Sequence, residues 1–175
     1  MMKLEPQIDT GEFANIFLMN AWSIDIPEIA RNTIVSNALN HCVINNDFFI
    51  IGYLLMNRCL FLIGYSTHLH IEKALEKFYF QVALEIQRYH SEQYRLYQQE
   101  NVPFLKTGSY EHLFKKYEFR DYYIKNLIMG REVEIPYYDP RLARLKDYIH
   151  DYNYCSALDY AGGKSPVFVA VKRKN

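Results

Sequence analysis

The chain has 175 residues, 50% of them hydrophobic, and carries 20 Lys and Arg against 20 Asp and Glu. This length supports one hydrophobic core, so we expect a single domain over residues 1–175, with its core at about 14–164 and short terminal extensions. The apolar content is that of a globular protein and excludes an intrinsically disordered chain. No run of apolar residues is long enough for a membrane helix, and the start lacks the order of a secretory signal. We therefore expect a cytoplasmic protein without a membrane partner.

The charges are unevenly distributed along the chain. Residues 1–105 hold 7 Lys and Arg against 11 Asp and Glu, whereas residues 106–175 hold 13 against 9. A polyanion would therefore meet the C-terminal part of the chain. The 16 tyrosines, interleaved with Lys and Arg, provide rings on which nucleic-acid bases could stack, although most of them are expected to be packing residues.

A strand and a helix are predicted first. Residues 14–22 form an apolar run of strand length. Residues 26–46 then carry apolar side chains at helical spacing, and Pro27 stands in a first-turn position after a possible Asp25 cap. The apolar positions expected on the inner side of this helix are Ile29, Ile34, Ala38, Leu39 and Val43.

A hairpin and a long helix follow. Residues 47–65 contain two β-rich runs divided by Met56-Asn57-Arg58, which predicts a hairpin whose second strand starts near Cys59. A long helix is expected from Leu69 onward, because apolar residues then recur every three or four positions. These positions are Ile71, Leu75, Phe78, Val82, Ile86 and Tyr89.

The C-terminal part is predicted to be mainly helical. After a loop at 101–109, residues 110–130 have a helical pattern that ends at Gly130. Residues 134–140 break the chain before a short helix at 141–152. The tail, 157–175, ends in an alternation of apolar residues that could add an edge strand.

The order strand, helix, strand, strand, helix, with a final strand possible, predicts an α+β protein. We expect a ferredoxin-like antiparallel sheet with helices packed mainly on one face. This fold hosts many functions, so function has to be argued from particular residues.

Two stretches carry a resemblance to a known family. The segment FFIIGYLLMNRCLFLIG (48–64) resembles the hairpin of single-tyrosine HUH transposases, in particular the REP-associated group. In that family an aromatic-rich strand leads to Met-Pro-Asn-His-hydrophobic-His, and the two histidine positions fall on Cys59 and Phe61 here. Tyr122 and Asn126 have the Tyr-x-x-x-Asn spacing of the family's nucleophile helix. The segment YNYCSALDYAGGK (152–164) resembles the C-terminal part of Bacteroidetes-type members.

The resemblance implies a reaction in which the Tyr122 oxygen attacks a DNA phosphate and forms a 5′-phosphotyrosine, with Mg²⁺ or Mn²⁺ polarising the phosphate. Two imidazoles hold that ion in the family. Cys59 offers only a soft thiolate and Phe61 offers no ligand. We therefore expect a transposase-derived protein that binds single-stranded or hairpin DNA without metal-dependent cleavage, needs no cofactor, and keeps Tyr122 and Asn126 at an inactive nucleophile position.

Two alternatives remain open. In the first, the protein is an active tyrosine nickase that uses Mg²⁺ or Mn²⁺ on His68 and His70. On a strand these rings would share a face, but with Thr67 capping a helix they would project about 200° apart, which favours surface or capping histidines. In the second, the domain has been repurposed to bind another protein.

Four basic residues on the segment that carries Tyr122 are the expected contacts to DNA phosphates. They recur at roughly helical spacing, and the alternative is an ordinary solvated helix face. These residues are Lys115, Lys116, Arg120 and Lys125. The segment 136–140 predicts a rigid turn with packed aromatics, with base stacking on Tyr137 or Tyr138 as the alternative.

Overall fold

The structure is a computed structural model that describes residues 11–66, 69–97, 110–135 and 137–171. None of the helices in these ranges combines the length and apolarity needed to cross a membrane. The strands are β1 (Glu12–Met19), β2 (Phe49–Met56), β3 (Cys59–Tyr65) and β4 (Phe114–Glu118). The helices are α1 (Glu28–Ile44), α2 (Ile71–Tyr97), α3 (Tyr122–Ile128), α4 (Pro140–His150) and α5 (Ala157–Tyr160), with short 3-10 helices at Ala21–Ser23 and Glu111–Leu113.

The four strands form one antiparallel sheet in the order β2-β3-β1-β4. Strand β3 lies between the mutually parallel strands β1 and β2, and β1 lies between the mutually parallel strands β3 and β4. The chain therefore makes two interleaved units, β1-α1-β2 and β3-α2-β4. In each unit, one strand of the other unit lies between its two parallel strands, which is the split β-α-β arrangement of ferredoxin-like folds. The predicted α+β class with an antiparallel sheet is confirmed.

The predicted hairpin is confirmed, and its second strand starts at Cys59. Its two loop residues, Asn57 and Arg58, have φ angles of 49° and 60°. Two consecutive residues with positive φ make the tight turn that matches the twist of the flanking strands. The Arg58 guanidinium fixes this turn, because Nε donates to Ser23 Oγ at 2.7 Å and Nη2 donates to the Met19 carbonyl at 3.2 Å.

The two long helices, α1 and α2, pack on one face of the sheet. The Phe17 ring lies at the centre of this core, with its centroid 5.9 Å from Phe78, 6.3 Å from Tyr79 and 5.9 Å from Phe114. Both helices were predicted, but Pro27 is the N-cap residue of α1 rather than part of its first turn. Ile29, expected on the inner side, is 79% exposed.

The second face carries the short helices α3, α4 and α5. Its core includes Ile63 on β3, Ile128 at the end of α3 and Ile149 on α4. A bulge at Ile51 shifts the register of β2, since Ile50 pairs with Gly64 and Gly52 pairs with Ile63. A Cβ atom on Gly52 would lie 3.1 Å from Met129 Cγ, so the absent side chain lets this layer approach the sheet closely.

The continuous helix predicted for 110–130 is wrong in its first half. Residues 114–118 form β4, which pairs with β1 through Ile16–Tyr117 and Leu18–Lys115, and only 122–128 are helical. Phe114 is buried in the core beneath α2, and its burial holds this segment against the sheet. The fourth strand of the sheet therefore comes from this segment.

The described part of the tail, 157–171, contains no strand, although Ala170 N donates to the Ile50 carbonyl of β2 at 2.7 Å. The rest of the outer edge of β2 is covered by the segment 154–160. Leu55 N donates to the Tyr154 carbonyl at 3.0 Å, Ser156 N donates to the Tyr53 carbonyl at 3.0 Å, and Tyr160 Oη donates to the Ile51 carbonyl at 2.7 Å. The stretch that resembles the transposase C-terminal segment thus closes one side of the sheet.

Candidate functional site

Helix α3 carries the predicted nucleophile pair. Asp121 caps the helix, because its Oδ1 accepts the Ile124 amide at 3.0 Å. Tyr122 is the first helical residue and is 69% exposed, whereas Asn126 is buried one turn later. Asn126 Nδ2 donates to the Tyr122 carbonyl at 2.7 Å, and Arg131 Nη1 donates to Asn126 Oδ1 at 3.4 Å. Asn126 therefore stabilises the helix and the segment that follows it.

Tyr122 and Asn126 line a cavity of about 890 Å³. The other polar residues around it come from the segment after α3 and from the C-terminal part of the chain. They are Arg131, Glu132, Asp159 and Tyr160. Sequence reasoning did not predict these four, because their relation to Tyr122 exists only in the folded chain. The cavity presents a phenol and a guanidinium together with the carboxylates of Glu132 and Asp159, which suits a polar ligand.

A second, smaller cavity of about 140 Å³ adjoins the first and also contacts Tyr122, Asn126 and Arg131. It adds Lys125 and Glu12 to the lining. Glu12 begins β1 and pairs with Tyr65 at the end of β3, so Tyr122 lies at that end of the sheet.

The two family ligand positions are not among the residues that line the two cavities at Tyr122, although Phe61 packs in the same cluster as Ile124 of α3. Cys59 and Phe61 share one face of β3, as side chains two apart on a strand do. The Phe61 ring packs edge-on against Phe119, with centroids 5.2 Å apart. Cys59 stands at the turn end of β3, six residues from Tyr65, and therefore roughly 20 Å from the end of the strand nearest Tyr122. Burial raises the pKa of Cys59 to about 11, so its thiol is neutral at physiological pH and a poor metal ligand.

The histidine alternative is only partly within the described residues, because His68 lies outside them. His70 immediately precedes α2 and is exposed. Its carbonyl accepts the Ala74 amide at 3.1 Å, and its Nδ1 lies 3.4 Å from the Glu72 amide. His70 thus acts as a capping residue. In the described ranges, no group of three or more His, Cys, Asp and Glu is placed to hold a metal ion.

The four basic residues do not form one helix face, so that prediction is wrong. Lys115 and Lys116 lie on β4 with opposite orientations, Arg120 follows the strand, and only Lys125 lies on α3. Lys116 Nζ binds Glu72 Oε1 at 3.0 Å. Arg120 Nη2 binds Glu118 Oε2 at 2.7 Å, which holds the pKa of Glu118 below its usual value. Two of the four cations are therefore already paired with carboxylates.

Positive and negative charges balance within the described residues of the C-terminal part. Residues 110–135 and 137–171 hold nine Lys and Arg and nine Asp and Glu. The excess comes from Lys106, Lys172, Arg173 and Lys174, all outside the described residues. The last described residue, Val171, lines the Tyr122 cavity. The next three residues in the sequence are the cations Lys172, Arg173 and Lys174.

A further cavity, of about 440 Å³, lies against Tyr123 and Leu127 of the same helix. It is lined by aromatic and aliphatic side chains from 133–135, 137–138 and α4, including Val133, Tyr137, Tyr138 and Leu142, and by Lys146. The Tyr122 and Tyr123 rings are in edge contact, with centroids 5.8 Å apart. Helix α3 thus separates two cavities whose adjacent walls touch. Tyr137 and Tyr138 were considered in the sequence, but nothing there indicated Tyr123 or Lys146.

Comparison with known proteins does not decide what this site does. No family model, curated protein or solved structure matches the chain. The transposase resemblance therefore rests on the sequence motifs quoted above.

Proposed function

We propose that the protein is a transposase-derived domain that binds single-stranded or hairpin DNA around α3 and lacks metal-dependent cleavage. The observation that carries the proposal is the exposed Tyr122 ring at the wall of a cavity that also contains Asn126 and Arg131. An aromatic ring beside a guanidinium is the pairing that single-strand binders use for bases and phosphates. The three cations that follow Val171 add the charge that such binding needs.

The loss of cleavage follows from the groups at the family's ligand positions. Phe61 offers a hydrocarbon ring that packs on Phe119, and the neutral Cys59 thiol is far along the strand from Tyr122. Without a divalent ion to polarise the phosphate, the tyrosine hydroxyl is a weak nucleophile. DNA binding and DNA cleavage are thus separable properties of this chain.

Binding is tested by fluorescence anisotropy with labelled single strands and hairpins over a range of salt concentrations. The wild type should bind, with affinity falling steeply as salt rises. A variant that ends at Val171 should bind more weakly, with the salt slope flattened by about 2, because each lost phosphate contact on a single strand contributes about 0.7. The control is Arg95→Ala, which removes one cation from α2 that is 74% exposed and should leave the slope unchanged.

Cleavage is tested by incubating the protein and the same oligonucleotides with Mg²⁺ or Mn²⁺ and searching for a covalent complex on a denaturing gel. We expect none. A complex that forms with wild type and not with Tyr122→Phe would contradict the loss of cleavage and support the nickase alternative.

The equal numbers of acidic and basic residues in 110–135 and 137–171 favour protein binding as a second candidate function. Failure of the wild type to bind any strand at low salt would support that candidate.

A further inference from the structure

The cavity beyond Tyr123 is built by three elements that follow one another in the chain. Tyr123 and Leu127 are four residues apart on α3 and so lie on one helix face. Residues 133–135 run along this face without regular structure, and Leu142 and Lys146, again four apart, project from α4. Ala143 keeps the volume between the helices free, because its side chain is a single methyl group.

The lining combines apolar and aromatic surface with one cation. Tyr137 and Tyr138 are 61% and 81% exposed, so most of their ring surface is not used in the core. Exposed rings grouped at a concave apolar surface are typical of a ligand site rather than of packing. Lys146 supplies the positive charge. The one carboxylate in the lining, Asp139, caps α4, and its Oδ1 accepts the Arg141 amide at 2.8 Å and the Leu142 amide at 3.4 Å.

We infer that this cavity holds one base of a bound single DNA strand, stacked on Tyr137 or Tyr138, with a neighbouring phosphate at Lys146. The inference rests on the proposed function and extends it to a second position on the strand. A purely apolar ligand would make no use of Lys146, and a small anion would make no use of the rings, whereas a nucleotide uses both. The edge contact between Tyr122 and Tyr123 places the two cavities next to each other across the start of α3.

The rings are tested by Tyr138→Ala, with Tyr138→Phe as the variant that keeps the ring and Tyr94→Ala as the matched control. Tyr94 is 47% exposed on α2 and lines neither cavity. Stacking on one aromatic side chain contributes enough that its loss should weaken single-strand binding roughly 5- to 100-fold. Tyr138→Phe and Tyr94→Ala should stay within about twofold of wild type, since neither removes a stacking platform.

The dependence on salt separates stacking from charge. Tyr138→Ala should lower affinity at every salt concentration without changing the slope, because a stacked base releases no counterions. Lys146→Ala should flatten the slope by about 0.7. A strand with abasic sugars keeps its phosphates but has no bases, so wild type and Tyr138→Ala should bind it equally. Ala143→Leu adds bulk inside the cavity, removes no ring, and should weaken binding to the ordinary strand.

Each result has a defined consequence. If wild type binds the strand but Tyr138→Ala and Ala143→Leu bind equally well, the cavity does not hold a base, while the proposed DNA binding stands. If wild type binds no strand at all, both the inference and the proposed function are wrong. Thermal melting of each variant is measured alongside. Tyr138 is largely exposed, so its replacement should leave the melting temperature within about 2 °C of wild type.

Discussion

Replacing Ser156 by Ala tests whether the segment 154–160 holds the C-terminal layer on the sheet. Ser156 is fully buried. Its hydroxyl accepts the Tyr53 amide at 2.9 Å and donates to the carbonyl of Ile128, the last residue of α3. One side chain therefore links the edge of β2, the end of α3 and the start of α5.

The magnitude follows from the two groups that Ser156→Ala would leave without a partner. A buried amide or carbonyl that loses its hydrogen bond costs about 1–3 kcal/mol, and removal of the serine hydroxyl recovers part of that loss. We expect a net decrease of about 3 kcal/mol in the free energy of unfolding. For a chain of this length, 1 kcal/mol shifts the melting temperature by about 2–4 °C, so Ser156→Ala should melt roughly 6–12 °C below wild type.

The assay is thermal unfolding followed by circular dichroism, with urea unfolding as a second measurement. The matched control is Ser91→Ala. Ser91 is exposed on α2, and its hydroxyl donates to the Gln87 carbonyl of its own helix at 2.9 Å. This control should change the free energy of unfolding by less than about 0.5 kcal/mol. A melting temperature of Ser156→Ala within 2 °C of that control would refute the role given to this hydroxyl.

Three further outcomes are expected. Gly64→Ala should destabilise the protein by about 2 kcal/mol or more, because the added Cβ would lie 2.4 Å from the Phe49 carbonyl oxygen. The control is Gly11→Ala, whose added Cβ has its nearest neighbour at 3.9 Å and should have little effect in the same melting assay. At pH 8, Cys59 should react with iodoacetamide roughly tenfold more slowly than free cysteine, because a pKa of about 11 lowers its thiolate fraction about 100-fold and the higher nucleophilicity of that thiolate offsets part of the loss. The rate should rise as the pH approaches 11. The measurement is labelling followed by mass spectrometry, and a rate equal to that of free cysteine would contradict the prediction. Lys116→Ala combined with Arg120→Ala should leave the salt slope of DNA binding unchanged, because both cations are paired with carboxylates; a slope flattened by one to two contacts would show that they bind phosphate.

Local patterns in the sequence predicted those elements whose partners are near in the chain. The hairpin at 47–65 is set by a two-residue loop, and α2 by an apolar repeat within one segment. Strand β4 was misread because Leu113, Phe114 and Tyr117 also fit a helical repeat. The segment is a strand because it pairs with β1, about 100 residues earlier in the chain, and a local sequence pattern cannot predict that pairing.

The candidate site was predictable only where it is built from one short segment. Tyr122 and Asn126 share a helix, so their spacing was sufficient to place them together. Asp159 and Tyr160 reach the same cavity only after the C-terminal segment folds back along β2, which required the three-dimensional structure. The helix face expected for the basic residues was wrong for a related reason, since Lys115 and Lys116 lie on β4, and the acidic partners of Lys116 and Arg120 are not visible in the spacing.

The central position of β1 has a consequence for how the chain is made. This strand is synthesised early, yet one of its edges pairs with β3 and the other with β4. At about 5–20 residues per second, a ribosome needs roughly 5–20 s to go from Met19 to Glu118. The hairpin can cover the first edge soon after it emerges, because hairpins form in about 1–10 μs. Until β4 arrives, the second edge stays open, so nascent chains that stall beyond α2 are the species most prone to aggregate.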